Sequence, residues 1–107
     1  MRTDRFTINL NKTGLAAAYK EWQVPIMVAL LSGAKLTSLD AWRIYAPTRS
    51  RASVINFLEA QLECGVLEAV SVTGKGGHHN IYHAATTEAN LMQTLRDAAN
   101  AALKEEK

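Results

Sequence analysis

Apolar residues recur along this chain with two different periods, and the changes of period divide it into elements. Phe6, Ile8 and Leu10 alternate with Thr7 and Asn9. A period of two predicts a short strand or an extended arm, and residues 11–14, NKTG, break it. From there the spacing lengthens. Trp22, Ile26, Ala29 and Leu30 recur at three and four, which stacks them on one helical face. Proline is tolerated only in a helix's first turn, so Pro25 places the start of the regular helix near Glu21. Gly33 ends it, and residues 15–20 form a preceding helical turn.

A second helix opens at residues 37–40, TSLD. Thr37 or Ser38 caps it, Asp40 sits in its first turn, and Leu39, Trp42 and Ile44 or Tyr45 form its apolar face. Pro47 pushes Ala46 out of helical geometry and stops it there. A third helix lies within residues 48–65. Ser50 is its cap, Val54, Leu58 and Leu62 follow at intervals of four beside Ile55 and Phe57, and Gly65 terminates it. Residues 66–73, rich in valine, and residues 80–84 read as a hairpin around a loop of four to six residues. The last helix, 86–107, starts at Thr86 or Thr87 and carries Leu91, Leu95, Ala98, Ala99, Ala102 and Leu103 as a stripe.

The predicted fold is therefore mainly α with a small β-hairpin and a long C-terminal helix. At 107 residues and 48% hydrophobic, the chain has material for one small domain. The longest uninterrupted apolar run, residues 26–31, is too short to cross a bilayer. No signal peptide is expected from the opening MRTDRF, so the chain reads as cytoplasmic. Its one cysteine, Cys64, allows neither an intrachain disulfide nor a four-cysteine zinc site.

The net charge of +2 is small, so its placement matters more than its size. Arg43, Arg49 and Arg51 lie between Asp40 and Glu59 with no acid among them. The acids of the third helix, Glu59 and Glu63, fall in its C-terminal half. A helix that reads DNA needs its positive end and its donors at the phosphates, with base contacts from its first turns. Arg49, Ser50, Arg51, Ser53 and Asn56 occupy that region. Arginine pairs with guanine and asparagine with adenine, while hydroxyls suit phosphate oxygens. Ser38 and Arg43 are further candidates, because a helix cap facing a duplex can bind phosphate through its amides.

The segment TGKGGHHNIY, residues 73–82, is no P-loop. Its glycines are too close together, no Ser or Thr follows Lys75, and a strand comes next. Glycines there ease a tight turn. Lys75 at the tip offers a charge to a phosphate, and His78 a backbone contact. His79 and His83 share a strand face but stand about 13 Å apart, too far for one metal ion. No metal, no cofactor and no enzymatic role is expected.

Residues 21–31, EWQVPIMVALL, residues 50–83, and the helix after them resemble winged helix-turn-helix transcriptional regulators of the MarR and penicillinase-repressor type. The pattern SRASxxNxL, six residues, GVL, followed by the TGKGG wing, carries most of the resemblance. It spans roughly residues 20–104 and leaves the first nineteen outside. The chain then divides into an arm, 1–19, a winged domain, 20–85, and a dimerisation helix, 86–107. The resemblance implies a nucleoid-associated homodimer, of repressor type, that binds double-stranded DNA. Residues 50–64 would enter the major groove, and the wing, 66–84, would touch the flanking backbone or minor groove. The alternative is a winged helix used only for protein contacts, for which an acid-free arginine patch has no purpose.

Overall fold

The computed structural model describes residues 6, 8, 9, 11–74 and 77–105, the side chains of 77, 78 and 102–105 excepted. It is mainly helical with an antiparallel hairpin. A 3₁₀ turn, Gly14–Ala17, precedes α1, Val24–Leu31. The short α2, Ser38–Asp40, continues as a π-helical turn, Ala41–Tyr45. Then come α3, Arg51–Cys64, the strands β1, Leu67–Gly74, and β2, Gly77–Ala84, and α4, Glu88–Glu105.

Local chemistry accounts for most of these boundaries. Regular helix in α1 begins at Val24, three residues after the expected start, with a turn over 21–23. Pro25 has no N–H to bond back to residue 21, so it sits in the first turn, between the bond from the Val24 N–H to the Lys20 carbonyl and that from the Met27 N–H to the Gln23 carbonyl. Thr37 caps α2 through a capping box. Its hydroxyl accepts from the Asp40 N–H at 3.1 Å, and the Asp40 carboxylate accepts from the Thr37 N–H at 3.3 Å. The π turn that follows is wider than an α turn and advances less per residue. Tyr45 is thereby left half-buried, while Ile44 turns outward and is 62% exposed. Ser50 caps α3 by accepting from the Ser53 N–H, and Gly65 closes it at φ 82°, the left-handed conformation that glycine adopts at least cost.

The strands of the hairpin pair from Leu67↔Ala84 out to Gly74↔Gly77. The return strand thus starts three residues earlier than the sequence pattern suggested, and only residues 75 and 76 lie between the strands. Glycines at both ends of that connection let the ladder run further than side-chain propensity indicated. Beyond Leu67, β1 is exposed on nearly every residue, so this ribbon projects from the body. Its base is anchored. Leu36 and Tyr82 exchange two backbone hydrogen bonds, Leu36 N–H to the Tyr82 carbonyl at 3.0 Å and Tyr82 N–H to the Leu36 carbonyl at 2.7 Å.

The core gathers Ile26, Met27 and Leu30 of α1, Val54, Phe57 and Leu58 of α3, Val66, Leu67 and Tyr82 of the hairpin, and Leu91 and Leu95 of α4. Leu15 and Tyr19 complete it from the N-terminal side, with Phe6 and Ile8 packed against it. Residues 6 and 8 are not in a described strand, so the alternation there builds an apolar arm. The buried face of α3 is centred on Val54, Phe57, Leu58, Gln61 and Cys64, and Leu62 is only half-buried. Gln61 belongs there because the Tyr19 hydroxyl donates to its Oε1 at 2.8 Å. Thr87, at the entry to α4, accepts from the Asn90 N–H. Leu91 and Leu95, expected in a dimer stripe, are committed to the core of their own chain.

Burial pushes the Tyr19 phenol well above its ordinary pKa, with Cys64 adding to the effect. Burial and the hydrogen bond to Glu59 raise Tyr82 to about 12. A group whose folded pKa is raised stabilises the fold fully below its unfolded pKa and loses that contribution as pH climbs through the folded value. Resistance to urea is therefore expected to hold up to about pH 10 and to fall between about pH 10 and 12. Tyr82→Phe should remove part of that alkaline loss, measured as the pH dependence of the urea midpoint.

Candidate nucleic-acid interface

The expected contact residues divide into a group around the N-terminus of α3 and a group on the hairpin. Arg49, Ser50, Arg51, Ser53 and Asn56 are all exposed, and they follow one another through the turn into α3 and along its first turns. Asn56 and Ala52 look outward, opposite the buried face. Arg43 is exposed on the π turn that leads into the same connection. The packing of α2 and the π turn against α3 holds together the elements that carry these side chains.

The connection between α2 and α3 is braced by two tryptophans. The Trp42 indole N–H donates to the Arg49 carbonyl at 2.7 Å. This fixes the backbone one residue before the cap of α3. The Arg49 guanidinium lies 5.6 Å from the Trp22 ring centroid, within cation–π range. Trp22 in turn meets Phe57 edge-on, with centroids 5.6 Å apart. Arg49 is therefore partly held by the protein's own aromatic face. Arg51 makes no hydrogen bond or ion pair with a described residue, so its guanidinium keeps its donors for a partner. Packing explains why both tryptophans are apolar in the sequence pattern, but the polar edge of Trp42 gives it a positioning role that periodicity does not reveal.

The serines have local duties. Ser50 caps α3, and its hydroxyl lies 2.8 Å from that of Ser53. Ser38 stands at the start of α2, half-buried, behind the capping box made by Thr37 and Asp40. On the hairpin, Lys75 lies outside the described residues, and so does the side chain of His78, whose backbone pairs with Thr73. His83 has a carboxylate neighbour, Glu68, at 4.0 Å, which the sequence pattern did not suggest. Among the described residues no three His, Cys, Asp or Glu side chains converge on a metal position.

The acids of α3, Glu59 and Glu63, lie in its C-terminal half. Glu59 accepts from the Tyr82 hydroxyl at 2.7 Å, so its charge is tied to the base of the hairpin. Between Asp40 and Glu59 no acid offsets the positive potential of the α3 N-terminus and of Arg43, Arg49 and Arg51. Among the described residues, no helix is long and apolar enough to cross a membrane.

Trp42→Phe keeps an aromatic ring but removes the N–H that holds Arg49. It should cost about 1 kcal/mol in urea unfolding. Amide exchange at residues 50–53 should quicken by more than the global loss of stability accounts for, because the brace acts on that turn.

No known protein family, curated protein or solved structure matches this chain.

Proposed function

We propose that this chain is a winged helix-turn-helix protein that binds double-stranded DNA and regulates transcription, with α3 in the major groove and the hairpin as its wing. The observation that carries this reading is the exposed, acid-free start of α3, where Arg49, Arg51 and Asn56 are presented by a braced turn. The order α1, Leu36, α2, α3, β1, β2 supports it. The backbone pairing of Leu36 with Tyr82 adds a third extended segment beside β2, which sets the hairpin's base next to α3. A hairpin whose first strand is exposed beyond Leu67 is suited to lie along a phosphate backbone.

The same reading makes the protein a homodimer, since paired half-sites need two recognition helices. The first half of α4 is occupied by its own core through Leu91 and Leu95. Pairing then falls to its C-terminal half, where Ala98 and Ala99 are only half-buried and allow close helix approach.

Binding should be lost steeply with salt. About four neutralised phosphates per protomer, from Arg43, Arg49, Arg51 and Lys75, give the dimer a slope of about −7 in log affinity against log salt. Arg51→Ala should cost roughly 1–3 kcal/mol on a selected sequence and relax base preference at one position, while Lys75→Ala should weaken all duplexes about equally. Gel shifts on duplexes selected from a random pool measure all three. Absence of salt-sensitive binding to any duplex would refute the reading and favour a module for protein contacts, to which exposed Ile44 beside Arg43 would contribute.

A further inference from the structure

The hairpin has one edge in use and one edge open. Along β2, Tyr82 gives both its backbone N–H and its carbonyl to Leu36. Both groups therefore point away from β1. In an antiparallel ladder, pairs that exchange hydrogen bonds alternate with pairs that do not. Ala69, opposite Tyr82, belongs to the second kind, and so does Ser71, two residues on. The N–H and carbonyl of Ala69 and of Ser71 thus face outward, on the side of β1 remote from β2. No described residue pairs with them there.

Open edges of this kind are ordinarily blunted by a lysine, a proline or a bulge. β1, LEAVSVTG, has none of these. Its register runs unbroken from Leu67 to Gly74, and its single charge is Glu68, near the base. Glu68, Val70 and Val72 share one face with His83, Ile81 and His79, their partners across the ladder. Val70 is 54% exposed on that face, a large apolar side chain left in water.

We propose that this edge pairs with the same edge of a second copy of the chain, antiparallel about a twofold axis at Val70. Ala69 of each copy exchanges backbone hydrogen bonds with Ser71 of the other, and the two hairpins become one continuous sheet. Val70 meets the second copy's Val70 in the closely spaced kind of pair, with an Ile81 on either side, so the exposed valines cover one another. The charges agree with this direction. Glu68 falls opposite the second copy's Val72, whose own ladder partner is His79, so each carboxylate shares a row with an imidazole. Parallel pairing in register would instead set Glu68 beside Glu68. The edge is thus complementary to itself, valine opposite valine and small residue opposite small. The strand pairing does not depend on the DNA reading. Combined with the α4 dimer proposed above, it gives each chain two twofold faces and joins dimers into a row. The row alone rests on that dimer.

The test places cysteines in the full chain, where Cys64 is buried. Val70→Cys puts the two thiols on the axis, with Cα atoms ~4.5 Å apart, and should cross-link on mild oxidation. Glu68→Cys and Val72→Cys should each fail alone, because each stands ~13 Å along the strand from its own copy. Mixed together, those two variants should cross-link. Amide exchange at Ala69 and Ser71 should slow about fourfold between about 10 µM and about 1 mM protein, as a Kd of about 100 µM requires. Val70, already bonded within the hairpin, should change less. Ala69→Pro removes an outward donor without touching the ladder to β2, and should abolish the slowing at Ser71. Equal cross-linking at positions 68, 70 and 72, or exchange indifferent to concentration, would overturn the proposal and leave the edge to a strand of a different protein. If Val70→Cys chains cross-link but sediment only as dimers, the strand pairing stands and the row is lost.

Discussion

Tyr82 ties together three parts of the chain that no local interaction could hold in place. Its backbone exchanges two hydrogen bonds with Leu36, just ahead of α2, and its hydroxyl donates to Glu59 in the middle of α3. Its ring is buried in the common core. A two-stranded hairpin has marginal stability by itself in water. Here it is fixed at its base by a third extended segment and by a helix, and only its outer part is left in solvent. The direction of the ribbon relative to α3 follows from that one residue. A phenol buried against a carboxylate is also a group that resists ionising, so this junction, like Tyr19, contributes stability that is lost at high pH.

Positioning of the helix start is a separate matter, and it depends on polar groups at aromatic edges. The connection between α2 and α3 is short, and Pro47 stiffens it. Trp42 holds its far end through the Arg49 carbonyl, and Trp22 lies against the Arg49 guanidinium. Ser50 then satisfies one of the first free amides of α3, that of Ser53. Rigid presentation lowers the entropic cost of binding for side chains that would otherwise sample many rotamers. Arg49 and Arg51, adjacent in sequence but for one serine, thereby differ in kind: one is half engaged by its own protein and the other is not.

The N-terminal segment changes what α3 can do. Leu15 and Tyr19 enter the core, and Phe6 and Ile8 pack on it, so residues ahead of α1 form one wall of a groove beside α3. Tyr19 and Gln61, 42 residues apart, meet at its floor. The flank of α3 bearing Ser53 and Asn56 therefore borders solvent on one side and the groove on the other.

Much of the architecture was written locally. Thr37 with Asp40, Ser50, Gly65 and Pro47 are each legible because capping, left-handed closure and the loss of an N–H act within a few residues. The run of arginines without acids is likewise a property of the sequence itself. What periodicity could not supply was anything that depended on a distant partner. Gln61 sits at the spacing of the apolar face of α3, a readable sign of a buried polar group, but its partner Tyr19 lies beyond α1. The outward turn of Ile44 came from a π turn, the extra length of β2 from pairing rather than propensity, and the polar task of Trp42 from a carbonyl seven residues on. Leu91 and Leu95 show the limit most plainly. Their spacing determined that α4 would bury a stripe, but only the packed chain decided that this stripe faces its own core, because an apolar face is satisfied by whichever surface reaches it first.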